Sequence, residues 1–197
     1  MSTSPTSTTS DGEKPQKANV RPLEFRRLAA DCGRGAFVCG DRDIDRWFRE
    51  NALDHHNDLT CRVVTAHLAD MPEPVAGFYA MTIRLEKEIE LGGKNAAGSK
   101  GQGGQFAVVQ LCYVAVQRDL QNQGYGTVLM GAALQDFYDV VIRTGIFAMT
   151  LQAANRDLME FYQKLGFIVY GNTFAIMPKM ILSAEAVIEI IENPSAD

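Results

Sequence analysis

What this chain lacks narrows its identity before any motif is read. No apolar run approaches the roughly 20 residues needed to cross a bilayer, and the opening MSTSPTSTTSDGEKPQKANV has no apolar segment of the kind a secretory signal carries. Basic charge is not in excess. The 19 Lys and Arg face 24 Asp and Glu, for a formal net charge of -5. That balance argues against a protein whose whole surface grips nucleic acid, while leaving room for a local basic patch. None of the 4 cysteines (Cys32, Cys39, Cys61 and Cys112) forms a C-x-x-C pair, so they read as reduced, mostly buried thiols of a cytoplasmic protein rather than zinc ligands. Histidine is scarce. His55 and His56 are adjacent, so they cannot share one helix face, and no metal site is expected. No internal repeat occurs.

What is present is ordinary globular material. Of 197 residues, 46% are hydrophobic and 22% charged, enough for one domain with a real core. Residues 1–20, rich in Ser, Thr, Pro and Lys, read as a disordered tail ahead of a single domain over 21–197. Leu23 to Ala29 reads as a first strand. After a glycine-punctuated loop, Ile44, Trp47, Phe48 and Leu53 recur at helical spacing, with Asp41 or Asp43 as the cap. CRVVTAHLA and VAGFYAMTIRL read as an antiparallel pair with DMPEP as the turn between them. The glycine-rich Leu91 to Gly104 reads as a mobile loop, and its Lys94 and Lys100 have no acidic neighbours. Gln105 to Val116 is nearly continuous in apolar character and belongs in the centre of a sheet. A helix over about Tyr125 to Arg143, the strand IFAMTLQA, the helix NRDLMEFYQKLG stopped at Gly166, a hairpin of FIVYG and TFAIMPKMI, and a last helix capped by Ser183 complete the order. The fold class is therefore mixed α/β: one domain with a central mixed β-sheet flanked by helices.

The chemistry gathers at QNQGYGTVLM, Gln121 to Met130, where two glycines stand at the mouth of the long helix. A nucleotide-hydrolysing P-loop needs Lys and then Ser or Thr after its second glycine, but Gly126 is followed by Thr127 and Val128. A dinucleotide fingerprint needs a small residue where Leu129 stands. What remains is Gln121-x-x-Gly124-x-Gly126 between a strand and a helix, a place where backbone N–H groups and the helix dipole converge on an anion. A tight turn that needs only backbone freedom explains the same glycines.

The downstream residues weigh on that choice. YVAVQRDLQNQGYGTVLM, followed after one strand by NRDLMEFYQKLGF, resembles the GNAT acetyltransferase superfamily, in which a Q/R-x-x-G-x-G/A turn holds the diphosphate of acetyl-coenzyme A. Upstream, FVCGDRDIDRWFRENAL and VAGFYAMT are similar to segments of toxin-type GNATs that acetylate the amino group of aminoacyl-tRNA. The resemblance implies an acetyl-coenzyme A-dependent N-acetyltransferase acting on a primary amine. The acceptor would be aminoacyl-tRNA or a small-molecule or protein amine. A module that binds acetyl-coenzyme A without turnover is the non-enzymatic alternative. A cognate antitoxin is implied by the family alone, and a homodimer is left open. Residue by residue, the resemblance implies that the main chain of Val114, Ala115 and Val116 pairs with the pantetheine arm. The amides of Gln121, Asn122, Gln123, Gly124, Tyr125, Gly126 and Thr127 would hold the diphosphate, Asn155 would contact the cofactor, and Tyr162 would protonate the departing thiolate. Val114 and Val116 also suit a core, Asn155 also suits a helix cap, and Tyr162 could pack beside Phe161. The acceptor's proton could leave through water or through a carboxylate such as Glu24 or Glu86, neither of which is singled out, and Tyr79 could border the acceptor site or be plain core. A branched side chain at Gly124 is expected to block the diphosphate while leaving the fold intact.

Overall fold

The structure is a computed structural model and describes residues 20–87, 105–172 and 175–193. The tail (all but its last residue) and the Leu91 to Gly104 segment with Lys94 and Lys100 lie outside the described residues. Seven strands form one sheet: β1 (Leu23–Arg27), β2 (Arg62–Leu68), β3 (Met71–Lys87), β4 (Gln105–Val116), β5 (Ala148–Gln152), β6 (Ile168–Tyr170) and β7 (Lys179–Ser183). Their order is β1-β2-β3-β4-β5-β7-β6, which places β4 in the middle as its apolar run requires. Every pairing is antiparallel except β4 with β5, which is parallel and bridged by the long helix. The helices are α1 (Arg42–Glu50), α2 (Ala52–Asn57), α3 (Tyr125–Thr144), α4 (Arg156–Lys164) and α5 (Ala184–Glu192).

Two apolar layers hold the sheet. On one side α3, with Leu129, Met130, Ala133 and Phe137, packs with Val187 of α5 and with Met149 and Leu151 of β5. On the other, α1 is fastened by an aromatic cluster. Phe48 stacks on Phe78 of β3 with centroids 4.0 Å apart, and Phe37 meets both rings edge-on at 5.0 and 5.3 Å. Trp47 lies 4.2 Å from the Tyr113 ring of β4. Because Phe48 is fully buried, Phe48→Ala should cost about 3–5 kcal/mol, a large part of a domain's stability. A urea midpoint shifted by far less would mean that α1 is not held through this ring.

Three readings of the sequence need correction. The expected single helix after Asp41 is two, parted at Asn51 (φ -115), a residue with little helical preference. Of the two caps expected, Asp41 serves, its Oδ1 accepting from the amides of Asp43 and Ile44. DMPEP is not wholly a turn, since β3 already begins at Met71. The ladder skips between Ala66, His67 and Leu68, so Pro72 and Pro74, which have no N–H to give, sit in an irregular stretch at the strand's start. The last strand starts at Lys179 rather than in the segment before Pro178; it pairs with β6 antiparallel, as a hairpin does, and with β5 on its other edge.

Candidate active site

The site begins where two neighbouring strands part. β4 pairs with β5 only from Val108 to Gln110, opposite Ala148 to Thr150. Beyond Gln110, β4 runs on to Val116 along β3, while β5, paired with β7 along its other edge from Ala148 to Gln152, no longer pairs with β4. A register shift between Ala80 and Met81 leaves Cys112 as an extra residue in β4, and such a bulge bends the strand. The β5-facing main chain of Val114, Ala115 and Val116 therefore has no strand partner among the described residues. Val114 lines a cleft of about 720 Å³ together with Trp47, Tyr113, Gln110, Leu158 and Tyr162.

At the far end of β4, a short helical turn at Arg118–Leu120 leads into the glycine turn. Gln121 is already committed here. Its amide donates to Arg118 O at 3.2 Å, and its Nε2 donates to Cys39 O at 2.6 Å and Val116 O at 3.0 Å. The Thr127 amide donates to Gly124 O at 3.1 Å. Among the described residues, the amides of Asn122, Gln123, Gly124, Tyr125 and Gly126 have no acceptor, and they sit at the positive end of α3. Asn122 (φ 60) and Gly124 (φ 90) are left-handed, a conformation that aims successive N–H groups to one side. A Cβ on Gly126 would meet nothing within 4 Å. A Cβ on Gly124 would lie 3.1 Å from Val20 Cγ2 at a φ that branched residues resist, so the expectation that a branched residue there leaves the fold intact is not supported.

The FVCG segment is tied to this turn. Val38 N donates to Gln117 Oε1 at 2.9 Å, and Arg118 N donates to Val38 O at 2.8 Å. Asp45 of α1 is buried, and its carboxylate accepts from the Cys39 amide at 2.7 Å and the Gly40 amide at 3.4 Å. Burial pushes that carboxyl up, but the two amides and nearby Arg49 outweigh it and hold Asp45 below the usual carboxylate range. The sequence reading missed Asp45 and Gln117. The signal available was an aspartate on the apolar side of α1, six residues after a cysteine in a loop.

Tyr162 comes from α4, which Asn155 caps by accepting the Leu158 amide at 2.9 Å. Asn155 is exposed and does not line the cleft. Gly166 (φ 92) ends the helix, and the Leu165 and Phe167 amides return to Tyr162 O at 3.0 and 3.1 Å. Phe167 meets the Tyr162 ring at 5.8 Å and Phe161 meets it at 5.3 Å, so the expected aromatic packing is present. The ring also lines the cleft, and no hydrogen bond among the described residues engages its hydroxyl. Burial pushes its pKa up to about 12.

The model of the Acetyltransferase (GNAT) family matches residues 41–167, which takes in α1, the parted strands, the glycine turn and Tyr162. The chain belongs to the GNAT family. It is an acetyl-coenzyme A-dependent N-acetyltransferase. Its fold is shared with a tyrosine-to-phenylalanine mutant of KacT (TM-score 0.76, 19% identity, covering 85% of this chain and 98% of that one). It is shared equally with AtaT complexed with acetyl-methionyl-tRNAfMet (TM-score 0.76, 20% identity, covering 86% and 99%). AtaTR bound with AcCoA also matches (TM-score 0.73, 21% identity, covering 86% and 98%).

Within this GNAT domain the other named groups lie elsewhere. Tyr79 is buried and donates to Asp136 Oδ2 at 2.7 Å, lining an adjoining cavity of about 890 Å³ beside Arg27 and Arg62 that shares Thr60, Cys61 and Thr82 with the cleft. Glu24 pairs with Arg26 at 2.6 Å and Glu86 with Lys179 at 3.2 Å, and neither lines the Tyr162 cleft. The cleft's own titratable groups include Asp41, Asp43, His55 and Arg84. His56 is buried and accepts the Val63 amide at 3.1 Å, a structural role. Among the described residues no group of three or more His, Cys, Asp or Glu could hold a metal ion, and no helix is long and apolar enough to cross a membrane.

Proposed function

We propose that this GNAT enzyme binds acetyl-coenzyme A between the parted strands and transfers its acetyl group to the amino group of an aminoacyl-tRNA. The observation that carries the cofactor site is the loss of β4–β5 pairing after Gln110, with unpaired amides from Asn122 to Gly126 beyond it. The main chain of Val114, Ala115 and Val116 would pair with the pantetheine arm as an added strand does. The amides of Asn122, Gln123, Gly124, Tyr125 and Gly126 would hold the diphosphate. Gln121 and Thr127 would shape that turn rather than donate to it. Asn155 would fix the start of α4 and hence the position of Tyr162.

Bound acetyl-coenzyme A supplies an acetyl thioester. As the acceptor amine attacks the carbonyl carbon and the C–S bond breaks, Tyr162 Oη donates its proton to the departing sulfur, the acylated nitrogen gives up its extra proton to water, and water returns a proton to the phenolate. Burial favours that role because it keeps the phenol protonated throughout the neutral range. The acceptor must arrive as the free amine, and an α-amino group ionises near pH 8. The rate should therefore rise with pH to about 8 and stay level through about pH 10, because the Tyr162 proton is lost only near about 12. A fall in kcat between roughly pH 9 and 10 would point to a different, more acidic proton donor.

The acceptor reading is supported by the shared fold with AtaT in its acetyl-methionyl-tRNAfMet complex. An antitoxin partner is supported in the same way, by AtaT bound to the C-terminus of the antitoxin AtaR. One observation favours a small cationic or protein amine instead: Asp41 and Asp43 line the cleft, and Asp43 already pairs with Arg46 at 2.7 Å. The test is incubation with labelled acetyl-coenzyme A and total charged tRNA. Label in the ester-linked aminoacyl fraction supports the tRNA reading. Label only in added small amines or proteins replaces it.

A further inference from the structure

Two polar atoms at the point where the strands part have no partner among the described residues. Gln110 Oε1 of β4 and Thr150 Oγ1 of β5 are both buried without a hydrogen bond, and these two residues stand opposite each other in the last pair of the β4–β5 ladder. Thr150 is 2% exposed. Gln110 lines the Tyr162 cleft, beside Arg84, Thr82 and Cys112. Leaving a buried acceptor unmade costs about 1–3 kcal/mol, so such an atom calls for a partner that water or a ligand supplies. Methionine or leucine would fill the Gln110 position without that cost.

We propose that Gln110 is a positioning residue for the acceptor, its side-chain carbonyl oxygen accepting an N–H of the incoming amine in the cleft that Gln110 lines and Thr150 does not. This rests on the acetyltransferase reading above and deepens it. The site takes an N–H donor on a neutral or cationic nitrogen. Of its charged neighbours in the cleft, Asp41 and Asp43 favour such a donor and Arg84 opposes a fully cationic one. An amine bonded there would stand in the same cleft as Tyr162, at the vertex where the open main chain of β4 begins. No covalent step is assigned to Gln110.

The test compares wild type, Gln110→Met and Gln110→Glu, using two acceptors: charged tRNA and glycinamide. Met keeps the volume and removes the polar atoms, while Glu keeps an accepting oxygen. For Gln110→Met, acceptor KM should rise on the order of tenfold or more, the worth of a hydrogen bond to a charged or reacting group. Acetyl-coenzyme A affinity by calorimetry should hold, and the melting temperature should stay level or rise because an unpaired polar atom has been removed. Gln110→Glu should recover most of the acceptor KM. The inference is overturned if acceptor KM is unchanged in Gln110→Met, or if melting temperature and cofactor affinity fall with it, which would make Gln110 a structural residue. Wild-type protein that binds no acetyl-coenzyme A would instead sink the cofactor site and this inference together. Binding without any effect of Gln110→Met sinks the inference alone.

Discussion

Tyr162→Phe is expected to keep acetyl-coenzyme A affinity and lower kcat by roughly 10²–10⁴-fold, the range for a lost general acid. The substitution removes one hydroxyl. The ring contacts with Phe161 and Phe167 survive, as does the helix end built on the Tyr162 carbonyl, because neither involves that oxygen. A loss through unfolding is therefore a weak rival, and a thermal melt alongside the kinetics separates the two. The hydroxyl has no hydrogen bond among the described residues, so its removal orphans no partner. If turnover stays within a few-fold of wild type, the proton reaches the leaving thiolate from another group and Tyr162 is a packing residue.

The second large effect is expected at Gly126. Gly126→Val adds a branched side chain where a Cβ meets nothing within 4 Å, so the fold has room for it. The free amides from Asn122 to Gly126 are then screened from a diphosphate, and each hydrogen bond to a charged group lost is worth about 1.5–3 kcal/mol, or roughly tenfold to a hundredfold in Kd. Calorimetry with acetyl-coenzyme A should show that loss while the melting temperature holds. Gly124 is a poorer probe, because its φ of 90 and the nearby Val20 methyl bring strain of their own. Undiminished affinity in Gly126→Val would make the glycine turn structural only.

Much of this was legible in the sequence, for identifiable reasons. The apolar run Gln105 to Val116 declares a central strand because both its faces are covered. Gly124 before α3 and Gly166 after α4 declare themselves because positive φ, which both have, is where glycine carries no side-chain penalty. Other features left no local mark. The parting of β4 from β5 depends on a bulge at Cys112, and no residue type demands a bulge there. The role of Gln121 was read as a main-chain donor, but its amide and side chain are spent on Arg118, Cys39 and Val116, the Cys39 contact spanning 82 positions of sequence. Asp45 carries no local mark either, being one of several charges in the segment Arg42 to Glu50. Only the fold brings the Cys39 and Gly40 amides onto it. The insertion of β7 between β5 and β6 is likewise a matter of sheet assembly, which a hairpin-like pair of segments does not specify.

The central claim is that the open side of β4 and the turn beyond it receive acetyl-coenzyme A. Amide hydrogen exchange with and without acetyl-coenzyme A tests it most directly. Slowed exchange is predicted at amides within Val114 to Val116 and Asn122 to Gly126, with β1 and β2 unchanged. Protection confined to other segments, such as the cavity beside Arg27, Arg62 and Tyr79, or no protection at a saturating concentration, would contradict the account.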